Sequence, residues 1–249
     1  MAKKIIKYII VFFVQCILFL AYLLCWPQLL FSHKVEYRNF SIYSNDEIDN
    51  RIQPIIDTSI KCLKTSEIYD STIHQRLFLI QNSFYYTLTQ AYSRSRAGFH
   101  QFLFNNSMIV PAIDLDKGTM LFADDHIQKL YQTIVHETIH SMQENKLGFL
   151  KIMALPRWKQ EGYAFYIAKN SRIMKNGMLR KYLPAKVRKL LYKWKQPEEY
   201  WCFAIMVAFA ITEKHMSFEQ ICNSEVKEDE MKTEVINRFM LKLFQKHHS

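Results

Sequence analysis

From Tyr8 to Phe31 the chain runs for 24 residues without a charged side chain, and the run is rich in Ile, Leu, Phe and Val. A helix needs ~20 such residues to cross a bilayer core of about 30 Å. The stretch is too long and too uniformly apolar for an ordinary buried helix. It also exceeds the ~7–15 apolar residues of a cleaved signal peptide. No small-x-small cleavage site follows it, since Tyr22-Leu23-Leu24-Cys25-Trp26-Pro27 stands there. The reading is an uncleaved signal anchor over residues 1–32 and a single further domain over 33–249. Lys3, Lys4 and Lys7 precede the run, which predicts a single-pass protein with a cytoplasmic N-terminus and an extracytoplasmic domain.

The rest of the chain is long enough for one sizeable core. Five glycines among 249 residues exclude collagen-like and linker-rich architectures. Cys16 and Cys25 fall in the anchor; Cys62, Cys202 and Cys222 fall outside it, with pairing left open. The absence of any C-x-x-C spacing argues against a thiolate metal site. The net charge of +10 is concentrated, for ten Lys or Arg and no acid lie between Lys169 and Lys195. Within it, Val187, Leu190, Leu191 and Trp194 recur at helical spacing, so residues 185–195 read as a basic amphipathic helix. Its charged face suits anionic head groups, or simply solvent if the helix packs on the domain. Nucleic acid is not expected as a partner of an extracytoplasmic domain, and the oligomeric state is left open.

Along the domain, Arg38–Ser44 and Arg76–Gln81 read as strands. Phe99–Phe104 and Ser107–Ile113 read as a hairpin around Asn105-Asn106. Ser44 and Glu47 have capping-box spacing and predict a helix from there to about Leu63; Ser83–Tyr92 is a second helical stretch. From Asp125 the pattern is helical to the end, broken at Gly148, Pro156, Gly177, Pro184 and Pro197. Trp201–Ile211 is apolar but too short to span a bilayer, and reads as a core helix. Strands first and helices later predict an α+β domain.

The motif His136-Glu137-Thr138-Ile139-His140 carries the chemistry. Four residues along a helix bring two side chains about 40° apart and one turn along, so both imidazoles can reach one cation. Glu137 is then placed to take a proton from a metal-activated water as general base. Asp125 and Gln128 are the expected N-terminal cap and Gly148 the expected stop. Ile127, Leu130, Tyr131, Ile134, Val135 and Met142 form an apolar stripe, and the two histidines project to roughly the opposite side.

The longer H-E-x-x-H-x-x-G-x-x-H form is excluded, because Gln143 and Lys146 occupy its glycine and histidine positions. A glutamate on a following helix gives the alternative His2Glu set with an open position. Glu161 supplies it, separated from His140 by twenty residues that include Gly148 and Pro156 to turn the chain. The segment Trp158-Lys159-Gln160-Glu161-Gly162-Tyr163-Ala164-Phe165-Tyr166 resembles the W-x-x-E-G-aromatic-A-x-Y signature of gluzincin peptidases, the clan of aminopeptidase N-like enzymes. Gly162 and Ala164 would let two helices approach closely.

The resemblance implies a zincin-like fold. A small sheet is followed by an active-site helix and a helical C-terminal subdomain. Zn2+ would be held by His136, His140 and Glu161, with Glu137 as catalytic base and a peptide or protein as substrate. It covers about Asp125 to Ala168. Two departures limit it. There is no G-x-M-E-N segment, so aminopeptidase specificity is not implied, and Phe165 stands four residues after Glu161, where thermolysin-like enzymes keep the aspartate that backs a zinc-bound histidine. Tyr163, Tyr166, Tyr200 and His215 are the candidate oxyanion donors, and the Ser107–Ile113 strand is the candidate substrate-pairing edge, by analogy with related folds. The expected function is a membrane-anchored zinc metallopeptidase; the alternative is an anchored binding protein of the same fold without catalysis.

Overall fold

The uncharged run forms helix α1, Ala2–Cys25, of which Lys4–Leu23 is long and apolar enough to cross a membrane. Phe12, Phe13, Leu18 and Phe19 on it are 61–63% exposed, so the described residues leave them largely uncovered. The structure is a computed structural model and describes residues 2–80, 98–102, 106–109, 112–121, 127–173 and 198–246. The expected helix at Ser83–Tyr92 and the basic segment 185–195 lie outside the described residues. A 3-10 turn, Pro27–Leu30, ends the anchor, opened by a proline whose missing N–H costs nothing there.

Five strands form a mixed sheet: β1 (His33–Tyr37), β2 (Phe40–Ser44), β3 (Gln75–Leu79), β4 (Gly98–Gln101) and β5 (Asn106–Ile109). Their order is β1-β2-β3-β5-β4, with β2, β3 and β5 parallel and β1 and β4 antiparallel to their neighbours. Helix α2 (Ile52–Leu63) is the crossover between β2 and β3. Side chains alternate across the sheet. Ile42, Leu77, Leu79 and Ile109 face the helices, while Tyr43, Phe78, Ile80 and Met108 face the other way. That second face is covered by Leu30 and Phe31, whose ring lies 5.2 Å from Phe78, so the end of the anchor is seated directly on the domain. A small antiparallel sheet follows: β6 (Ala112–Asp114), β7 (Thr119–Leu121) and β8 (Ile127–Lys129).

Six helices complete the described chain: α3 (Leu130–Leu147), α4 (Phe149–Ala154), α5 (Arg157–Ile173), α6 (Glu198–Thr212), α7 (Phe218–Asn223) and α8 (Glu228–Lys246). The domain is α+β, as the sequence predicts. Helix α6 is the expected core helix, with Phe203, Ala204, Met206, Val207 and Ala208 at most 1% exposed. It lies so close to α5 that a Cβ on Gly162 would meet the Phe203 carbonyl oxygen at 2.7 Å. Cys62, Cys202 and Cys222 form no disulfide.

Four local expectations need correction. Ser44 is the last residue of β2, paired with Leu79, and its hydroxyl accepts from the Asp46 N–H at 3.1 Å. It therefore caps no helix; α2 opens only at Ile52, behind Asp49, whose carboxylate accepts from the Arg51 N–H at 2.8 Å. The strand expected over Ser107–Ile113 is two strands, β5 and β6, in different sheets. Helix α3 begins at Leu130 rather than near Asp125, because Ile127–Lys129 pair with β7. Ile127 is accordingly 63% exposed and belongs to no helical stripe. The stop at Gly148 stands: its φ of 81° suits glycine, and its N–H closes on the Glu144 carbonyl at 2.7 Å.

Candidate metal centre

Helix α3 is wedged between the sheet and α2 on one side and α5 on another. It is buried nearly all round, so the expected division into an apolar stripe and an outward histidine face does not hold. His140 is 4% and Glu137 5% exposed, comparable with the core residues beside them. Pro156 precedes α5, and Glu161 lies near the start of that helix, facing the histidines.

The three expected ligands converge. His136 Nε2 lies 3.1 Å from Glu161 Oε2 and 3.2 Å from His140 Nε2, and His140 Nε2 lies 3.5 Å from the same carboxylate oxygen. A tetrahedral ion with ligands at 2.0–2.1 Å has edges of about 3.3–3.4 Å between ligand atoms. The observed triangle therefore matches one face of such a site, and the donor set of two imidazoles and a carboxylate suits zinc. The side chains are 16% (His136), 6% (His140) and 20% (Glu161) exposed, so the cluster is not sealed from solvent. Among the described residues these are the one group of His, Cys, Asp and Glu side chains placed to share an ion.

The electrostatics fit a site that seeks a cation. Burial opposes ionisation of Glu161, yet the two histidines outweigh it and hold the carboxyl well below the usual range. Burial also disfavours protonated His140, but the Glu161 carboxylate overrides it and pushes the ring up to about 9. Glu137, unlike Glu161, is raised, by burial against the opposing pull of His136 and His140. Strand β4 passes beside it, since a Cβ on Gly98 would stand 3.1 Å from Glu137 Oε1 and 2.6 Å from the Met108 carbonyl oxygen. Glycine at that point keeps the carboxylate uncrowded; a glycine inside a strand signals such close approach.

The candidate oxyanion donors separate. Tyr163 spends its hydroxyl on Ser66, 3.0 Å away, and Tyr166 packs beside it with ring centres 6.5 Å apart. His215 lies in the turn after α6, at φ 53°. Tyr200 alone of the four has a ring contact at the cluster, its ring centre 6.2 Å from that of His136. Arg157 donates to its hydroxyl at 3.2 Å and to Glu199 at 3.1 Å. Burial raises the Tyr200 phenol, and the Glu161 carboxylate adds to the rise. Of the candidate substrate-pairing segment, β5 is flanked by β3 and β4 and is interior, whereas β6 lies at an edge of the three-stranded sheet.

Sequence reasoning missed Gln143, Gly98 and Arg157. Gln143 Oε1 lies 3.0 Å from His140 Nδ1, a polar partner behind that ring. Phe165 instead sets its ring at 83° to His136, with centres 6.3 Å apart. No protein-family model matches this chain, and no curated protein matches it.

Proposed function

We propose that the chain is a membrane-anchored, zinc-dependent peptidase of gluzincin type that hydrolyses peptide bonds in a peptide or protein substrate. The observation that carries this reading is the triangle of His136, His140 and Glu161 donor atoms with the Glu137 carboxyl buried beside it. His136, His140 and Glu161 would hold the ion. When bound, zinc supplies the Lewis acidity that makes water nucleophilic near neutral pH and polarises a carbonyl.

The chain's own groups do the rest. Glu137 takes the proton of the attacking water on its carboxylate and returns it to the leaving amine nitrogen. Its raised proton affinity suits that carrier role. Tyr200 is the donor for the developing oxyanion. Its oxygen accepts from Arg157, so its own O–H proton remains for the substrate. Lys3, Lys4 and Lys7 favour an N-terminus on the cytoplasmic side, with the catalytic domain outside. The anchor seated on the sheet through Leu30 and Phe31 keeps that domain close to the bilayer.

The test uses the zinc-loaded full chain in detergent with a peptide library as substrate. Glu137→Gln should retain zinc and lower the cleavage rate by about 10²–10⁴. Cleavage by this variant at the wild-type rate would overturn the mechanism.

A further inference from the structure

We propose that Gln143 is a positioning residue for the metal: it selects the tautomer of His140 and ties that choice to the helix carrying Glu161. The inference rests on the metal-site reading and extends it to a group outside the ligand set.

Gln143 is fully buried, at 0% exposure, so both ends of its amide need partners. One end lies 3.0 Å from the carbonyl oxygen of Gln160, which can only accept. That end is therefore the NH2 group, and the oxygen must face His140. The oxygen, 3.0 Å from His140 Nδ1, can also only accept, so Nδ1 carries a proton. In the neutral ring this leaves the Nε2 lone pair bare. Nε2 is the atom that faces His136 and Glu161. A backbone carbonyl on α5 thus sets, through one amide, which nitrogen of a histidine on α3 is free to bind an ion.

The same chain of contacts explains the residue type. A carboxylate at position 143 would accept from Nδ1–H but would face the Gln160 carbonyl with like partial charge. An apolar residue would do neither. Gln160 immediately precedes Glu161, so the amide also fixes the first two ligands against the third. Metal-binding histidines in general depend on such a partner, at about 10–100-fold in affinity.

The experiment measures Zn2+ affinity of the full chain in detergent by competition with a chromophoric chelator, for wild type, Gln143→Leu and Gln143→Glu. Both variants lose the bond to Gln160, and only the glutamate keeps an acceptor for Nδ1–H. Leucine should bind zinc about 10–100-fold more weakly than wild type, and glutamate should recover the part that an acceptor for Nδ1–H supplies but not the part that the Gln160 bond supplies. Wild-type affinity in the leucine variant, or an equal loss in both variants, would overturn the proposal. Without any variant, long-range 15N–1H correlation on the zinc-loaded chain should find His140 protonated at Nδ1; protonation at Nε2 would overturn it as well. A wild-type chain that takes up no zinc removes the metal reading itself, and that outcome is distinct from the others.

Discussion

Helix α3 carries members of two histidine–glutamate clusters, and they are built in opposite ways. In one, His136, His140 and Glu161 point three donor atoms at a common space, 3.1 to 3.5 Å apart. In the other, His100 turns its two nitrogens to different partners, Nδ1 to Ser107 and Nε2 to Glu144, each at 3.4 Å. The first cluster is partly open; the His100 side chain is 1% exposed. Phe102 separates them, its ring 5.1 Å from His100 and 6.2 Å from His140. Composition is nearly the same in both. Convergent lone pairs leave room for a cation, whereas divergent ones satisfy neighbours and join β4, β5 and α3.

Substitutions can break this contrast. The largest effect is expected from Glu161→Gln, which keeps the shape and removes the charge. Loss of a direct ligand should exceed the 10–100-fold effect of an outer partner, so zinc affinity should fall by more than about a hundredfold. His100→Leu should weaken zinc binding far less, because it removes no ligand and meets the cluster only through Phe102 and a weak charge coupling to His140. It should instead cost about 1–3 kcal/mol of stability in denaturant unfolding, because Ser107 and Glu144 lose a buried partner. A His100→Leu chain that lost zinc as severely as Glu161→Gln would erase the distinction between the clusters.

The smallest effect is on pH, and the two clusters should differ in sign. Burial lowers the His100 pKa below 6.5, against the opposing hydrogen bond from Glu144. Its neutral ring costs nothing above pH 6.5; as pH falls below it, the unfolded chain binds a proton that the folded chain does not. Stability is then lost, by at most about 1.4 kcal/mol per pH unit. His140 is raised to about 9, so in the metal-free chain its contribution is complete below pH 6.5 and lost as pH rises through 9. Thermal unfolding of the metal-free chain across pH 5 to 10 should show both limbs. His100→Leu should flatten only the acidic one.

What could be read in advance follows the range of each interaction. The pair at His136 and His140 is set by one helical turn, and the Trp158–Tyr166 segment points to Glu161 across one helix connection. Gln143 is equally local, three residues after His140 on the same helix, but a glutamine at that spacing carries no motif that marks it as a histidine partner. Tyr200 was one of four candidate donors and only tertiary packing sets it apart, while Gly98 reaches the site by packing that spacing cannot reveal. Helix α3 departs from the expected stripe because a helix covered on several sides has no single apolar face. Capping chemistry shows the limits of pattern without context. Ser44 fits the pattern but ends a paired strand, while Ser217 and Gln220 form a complete reciprocal box at the start of α7.

The most direct test of the account is the zinc content of the purified full chain, measured by atomic emission beside His140→Ala after equal exposure to the ion. One zinc per wild-type chain and little or none in the variant is the expected result. Equal zinc in both proteins, or none in the wild type, would contradict it.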